Sequence, residues 1–105
     1  MLLTTTDQIA NRHIVTTIGF VLGIAVRSRG IGGNIMVGLH NLGNGSALNE
    51  YRDDLAAARN EALAQLVALA AERGANAVVG VRFDTAEVGH DMSEIVAYGT
   101  AVTIE

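Results

Sequence analysis

Between residues 14 and 26 the chain alternates with period two. Ile14, Thr16, Ile18, Phe20, Leu22, Ile24 and Val26 fall on one side, and Val15, Thr17, Gly19, Val21, Gly23 and Ala25 on the other. That alternation specifies a β-strand. Neither side carries a charge, so protein is expected to cover both. Unbroken, the strand would run about 40 Å at ~3.3 Å per residue, and Gly19 and Gly23 are therefore expected to mark a bulge or bend. A brief edge strand is expected over residues 2–5, and two further strands over 77–84 and 94–104. In the third strand Ala77, Val79, Val81 and Phe83 share one side. In the fourth, Val96, Tyr98, Val102 and Ile104 alternate with Ile95, Ala97, Gly99 and Ala101. The short polar connection over 85–93 makes these last two an antiparallel pair.

The period changes in the middle of the chain. Over residues 49–73, Leu55, Ala58, Ala62, Leu63, Leu66, Leu69 and Ala70 fall on one face at ~100° per residue, with Val67 at its margin. This predicts a long helix with Ser46 or Asn49 as N-cap and Gly74 as its stop. Asp53 and Asp54 are expected in its first turns and Arg73 in its last, where they would complement the helix dipole. The far side carries Ala57, Ala64, Ala68 and Ala71, a smooth strip that suits water or the close approach of another backbone. Ahead of this helix, residues 30–46 are rich in glycine and asparagine. There Ile31, Ile35, Met36, Leu39 and Leu42 recur at helical spacing until Gly43-Asn44-Gly45, which predicts a short helix or turn. The fold class that follows is α+β: a mainly antiparallel sheet against one long helix plus a short one, in a single domain over 1–105.

Composition changes the picture in one respect. Hydrophobic residues make up 50% of the 105-residue chain and charged residues only 17%, against about 25% charged in an ordinary soluble domain. Mean hydropathy is +0.32. A monomer so small and so poor in charge has too little polar surface to cover itself, which points to self-association. The net charge of −4 and an aromatic content of 4% disfavour nucleic acid, which calls for a basic footprint and stacking rings. With no cysteine there are no disulfides and no thiolate chemistry. The amino terminus has neither the basic nor the long apolar region of a secretory signal, and the longest apolar run falls short of the roughly 20 residues of a membrane helix. A cytoplasmic protein without membrane contact is the expectation.

The glycine-rich stretches invite a phosphate-binding reading and fail it. Gly30-Ile31-Gly32-Gly33-Asn34-Ile35 lacks the third glycine of a dinucleotide loop, and Asn44 and Gly45 stand where a P-loop needs Lys and Ser or Thr. Gly45-Ser46-Ala47 is not a nucleophile elbow, and the three histidines, His13, His40 and His90, fall in separate segments. Two features stand out from this background. Asp84, Glu87, His90, Asp91 and Glu94 gather carboxylates around an imidazole, a donor set suited to a borderline or hard divalent ion. Equally, they suit a solvated hairpin that keeps strand edges soluble. Of these, His90, Asp91 and Asp84 are the candidate metal ligands. Arg59 lies by helical phase inside the apolar face, among Leu55, Ala62, Leu63 and Leu66. A charge there must snorkel, pair with a carboxylate, or face a subunit boundary.

The run Ala58-Arg59-Asn60-Glu61-Ala62, then Leu66, then Gly74-Ala75-Asn76-Ala77-Val78-Val79-Gly80-Val81 resembles the YbjQ-like family of small prokaryotic domains. So do Ile14-Val15-Thr16-Thr17-Ile18-Gly19 with the following Gly23, and the closing Gly99-Thr100-Ala101-Val102. The resemblance implies an α+β subunit of a ring-like pentamer, in a family described as a heavy-metal-binding domain. Self-association agrees with the composition. Soft heavy metals do not, because they prefer the thiolates this chain lacks. Arg59 matches an arginine of the family pattern, which implies a structural role and no chemistry. The function expected is that of a non-enzymatic homo-oligomer that takes a divalent metal ion or another small ligand. The rivals are a pure scaffold and, further off, an enzyme whose site forms between subunits.

Overall fold

The computed structural model describes residues 1–28, 45–89 and 92–105. Among these residues four strands, β1 (Leu2–Leu3), β2 (Ile14–Ser28), β3 (Ala77–Glu87) and β4 (Met92–Ile104), form one sheet, and one helix, α1 (Gly45–Glu72), packs on it. The sheet order is β1-β3-β4-β2. β1 runs parallel to β3, whereas β3–β4 and β4–β2 are antiparallel, so the sheet is mixed. The short helix expected within 30–46 falls largely outside the described residues.

α1 is described over Gly45–Glu72 and is already helical at Ser46 and Asn49, the expected N-caps. Asp53 and Asp54 consequently lie beyond the first turn, which holds no acidic residue. Arg73 likewise follows the last helical residue. The stop falls at Gly74 as expected. Gly74 takes φ +87°, its N–H donates to the Ala71 carbonyl at 3.0 Å, and the Ala75 N–H donates to that of Ala70 at 3.0 Å. This Schellman pair satisfies two carbonyls that the helix end would leave without partners.

The face of α1 that the sequence predicts does meet the sheet. Ala58, Ala62, Leu66 and Ala70, spaced four apart, are fully buried against Val21, Ala25, Val78, Ile95, Ala97 and Ala101, with Leu55, Leu63, Val67 and Leu69 packed around them. The small side chains bring the helix close, and β2 answers with glycine. A Cβ on Gly23 would stand 1.9 Å from the Ala62 carbonyl oxygen. Gly23 is thus a contact point in unbroken register. Gly19, by contrast, has φ +137° and sits at a register shift between Thr17 and Gly19, the expected bulge.

β3 departs from its predicted phase. Gly80 takes φ +63°, and the pairing with β4 slips between Val79 and Arg82. As a result Val81 joins Val78 under α1, while Ala77 and Val79 pack on the opposite side with Val102 and Ile104. Simple alternation puts Val79 and Val81 together; the bulge separates them. The second, smaller cluster is closed over by Leu2, Ile9 and Ile14 from the amino-terminal segment.

Candidate functional site

β3 and β4 extend further than the sequence suggests and leave only residues 88–91 between them. Glu87 is therefore a strand residue, paired with Ser93, and Glu94 one paired with Ala86. Opposed residues of an antiparallel pair share a face. Thr85–Ile95 and Glu87–Ser93 lie on the α1 side, since Ile95 is buried under the helix. Asp84–Val96 and Ala86–Glu94 lie on the other side. The cluster that looked continuous in sequence is thus divided by the sheet. Asp84 and Glu94 share the face away from α1, and Glu87 projects from the helix face. Asp84 Oδ1 accepts the Thr85 N–H at 2.9 Å. His90 and Asp91 lie outside the described residues, as does His40. His13 exchanges backbone hydrogen bonds with Glu105 at 3.1 and 3.0 Å. Among the described residues, no three His, Cys, Asp or Glu side chains converge on a point that could hold a metal ion.

On the helix side, the first half of α1 and the β3–β4 hairpin enclose a cleft of about 340 Å³, lined by Leu55, Arg59, Thr85, Ala86, Glu87, Ser93 and Ile95. Arg59 projects into it from the column Leu55–Arg59–Leu63–Val67. Its side chain is exposed. Pairing with a neighbouring protomer concerns a second copy.

Other arginines are engaged. Arg27 reaches Glu61 at 2.8 Å and Asp54 at 3.5 Å. Arg73 Nη1 donates to the Phe20 carbonyl at 2.9 Å, and Arg82 Nη1 to that of Thr5 at 2.7 Å.

Away from the helix no described element packs over the sheet for much of its length. Phe20 and Val26 are 60% and 43% exposed, with Leu22, Ile24, Val96 and Tyr98 half-buried between them. The Phe20 and Tyr98 rings tilt together at 6.5 Å between centroids. The amino-terminal segment covers only the far end, over Ala77, Val79, Val102 and Ile104. Both sides of β2 were expected to be covered. Among the described residues the side of Val21 and Ala25 is covered by α1, and the other side only near Ile14.

Two structural devices escaped the sequence reading. Asn76 acts as a side-chain rung of the sheet: its Nδ2 donates to the Ile104 carbonyl at 2.9 Å, and its Oδ1 accepts the Ile104 N–H at 2.7 Å. Gln65 Oε1 accepts the Ile24 N–H at 3.1 Å, which with Arg73 on Phe20 occupies part of the free edge of β2. An asparagine two residues after a helix-ending glycine and directly before a strand was the available signal for the first. Nothing local marks the second, because 41 residues separate the partners.

The YbjQ family model, described as "Putative heavy-metal-binding", matches residues 1–105. A UPF0145 protein of Thermoplasma acidophilum is 47% identical over 105 residues, spanning all of this chain and 87% of its own length. A UPF0145 protein of Bradyrhizobium is 48% identical over 105 residues, spanning 94% of its own. A crystal structure from Pediococcus pentosaceus, of a protein with unknown function in the DUF74 family, superposes with a TM-score of 0.65. That match covers 100% of this chain and 98% of the other at 17% identity, and so speaks to the fold alone. None of these names states an enzymatic activity. No helix among the described residues is long and apolar enough to cross a membrane.

Proposed function

This chain belongs to the YbjQ family of small prokaryotic domains, and on that premise we propose that it works as a non-enzymatic, homo-oligomeric binding module whose copies cover one another's open sheet faces. The observation that carries this reading is the strip with exposed Phe20 and Val26 at its ends and half-buried Leu22, Ile24, Val96 and Tyr98 between them, in a chain with 17% charged residues. Large contiguous apolar surface on a small soluble domain marks an interaction site. A ring of odd number needs two different surfaces that fit each other, since a two-fold contact closes at a dimer. Two are available here: the open sheet face, and the outer side of α1 where Ala57, Ala64, Ala68 and Ala71 are exposed. A pentamer, which the family resemblance implies, is the assembly we favour. Native mass measurement tests it. Five times 11.0 kDa is the expected mass; a stable particle of 11.0 kDa at working concentration would overturn the reading.

The metal half of the family's description fits this chain poorly. A soft ion would find no thiolate, and the described carboxylates Asp84, Glu87 and Glu94 do not converge. The place we assign to an ion is the hairpin connection, shared among several copies, with His90 as the nitrogen donor. Calorimetric titration with zinc, nickel and copper checks this: heat that disappears in His90→Ala supports that location, and heat unchanged by the substitution removes it.

A further inference from the structure

We propose that side chains of α1 seal the edge of β2 against other strands, so that two copies of this chain are kept from pairing edge to edge and are left to meet through their faces. β2 is the last strand of the described sheet, and an outer strand of 15 residues is a template for another chain. Along an antiparallel strand the backbone groups point alternately towards the paired strand and away from it. The Phe20 carbonyl and the Ile24 N–H turn away from β4 to meet side chains, and the pairing is unbroken from Gly19 to Ser28. Phe20, Leu22, Ile24 and Val26 are therefore the outward set. Arg73 Nη1 donates to the Phe20 carbonyl at 2.9 Å, Gln65 Oε1 accepts the Ile24 N–H at 3.1 Å, and Arg27 Nη1 donates to the Val26 carbonyl at 3.1 Å. An added strand would need these same groups in succession, and would have to displace all three side chains to reach them.

The seal is built by one flank of the helix. Asp54, Glu61 and Gln65 fall in a line at ~100° per residue, and Arg73 follows just past the helix end. Glu61 and Asp54 hold Arg27 at 2.8 and 3.5 Å, which fixes its guanidinium beside the edge. Gly23 makes the reach of Gln65 possible. A Cβ on Gly23 would stand 2.9 Å from the Gln65 Cβ, so its absence lets Gln65 settle next to Ile24. The partner excluded is β2 of a second copy, because identical edges pair antiparallel about a two-fold axis. A two-fold contact closes at a dimer, and sealing it leaves the open sheet face as the surface through which copies join. The seal itself lies within one protomer and acts whether or not the chain forms a ring.

Sedimentation of the double variant Gln65→Ala/Arg73→Ala beside the wild-type protein tests this, with hydrogen exchange at the Ile24 amide as the local readout. We expect the double variant to form particles of at least twice the wild-type mass as concentration rises. Its Ile24 amide should exchange faster than in wild type in dilute solution, where the Gln65 bond is gone, and slower where the particles form. Gln65→Glu/Arg73→Lys keeps an acceptor and a donor and should hold the wild-type mass. Asn76→Ala, whose lost bonds go to Ile104, is the control for lowered stability and should hold it too. Gln65 and Arg73 are exposed, so the double variant keeps its core, which circular dichroism verifies. A double variant at the wild-type mass across the concentration range overturns the proposal. So does growth without slower exchange at Ile24, or growth of the conservative pair or of Asn76→Ala to the same extent. Mass is read relative to wild type, so this test and that of the native assembly can fail separately.

Discussion

At the scale of single residues, two positions govern how the parts meet. Gly23 sets the distance between sheet and helix. The space for its missing side chain is filled by the Ala62 carbonyl, 1.9 Å from where a Cβ would sit, and the Leu66 N–H lies 2.7 Å from the same point. Both are backbone atoms, so the conflict cannot be relieved by a rotamer change; the helix itself must lift off. Gly23→Ala is therefore expected to cost at least as much as the ~1–3 kcal/mol typical of overpacking, read as a lower urea midpoint. An unchanged midpoint would mean that the helix rides higher than described. Asn76 closes the carboxyl-terminal end of the sheet through its paired bonds to Ile104. Asn76→Ala leaves the Ile104 N–H and carbonyl without these partners in a part-buried place, a loss of about 1–3 kcal/mol. Asn76→Asp keeps an acceptor for the N–H but sets a carboxylate against the Ile104 carbonyl, so it should not recover the stability of the parent. Parallel urea titrations of the two variants check that order.

At the scale of elements, what could be read beforehand was what repeats locally. The helix face was legible because Ala58, Ala62, Leu66 and Ala70 recur at a spacing only a helix brings into line, and its end because Gly74 adopts a conformation other residues resist. Gly74→Ala, with nothing within 4 Å of the added Cβ, isolates that conformational cost. It should lower stability by about 1 kcal/mol in thermal unfolding without touching the core. The phase of β3 was less accessible, for a non-local reason. Gly80 and Val81 are turned out of alternation while their N–H groups bond to the carbonyls of Thr6 and Thr4 at 2.8 and 2.9 Å, from the other end of the chain. No window around Gly80 contains that information. Of the acidic cluster only part is described, since His90 and Asp91 lie outside the described residues. Closeness in sequence suggested convergence, but a strand sends Glu87 and Asp84 to opposite faces because their spacing is odd. Arg59 was recognisable as out of place in a helical column, whereas the Thr85 and Ser93 hydroxyls beside it came into view only with the hairpin register.

At the scale of the whole molecule, the protomer is long and thin. Its extents are 55 × 27 × 17 Å and its radius of gyration is 17.2 Å, against about 13 Å for a compact domain of 100 residues. An elongated shape whose sheet is open on one face among the described residues has a poor ratio of covered to exposed apolar surface, which the proposed association would remedy. Phe20 and Val26 stand near opposite ends of the bare strip, with Leu22 and Ile24 between them, and the strip lies across the sheet from the α1 core. A charge placed there should therefore disturb association much more than folding. In Phe20→Asp, the protomer loses a 60% exposed ring that contributes little to its own core, while a shared interface would have to desolvate a carboxylate without a partner, a cost of several kcal/mol. Sedimentation of Phe20→Asp should show the assembly dissociating towards single chains, with the far-ultraviolet dichroism of the parent retained. Leu66→Ala provides the contrast. It removes a fully buried side chain beneath the helix and should lower stability by about 2–5 kcal/mol, leaving whatever remains folded at the parent's native mass. If Phe20→Asp instead sedimented like the parent, the bare face would lie outside the contact and the copies would have to meet through another surface.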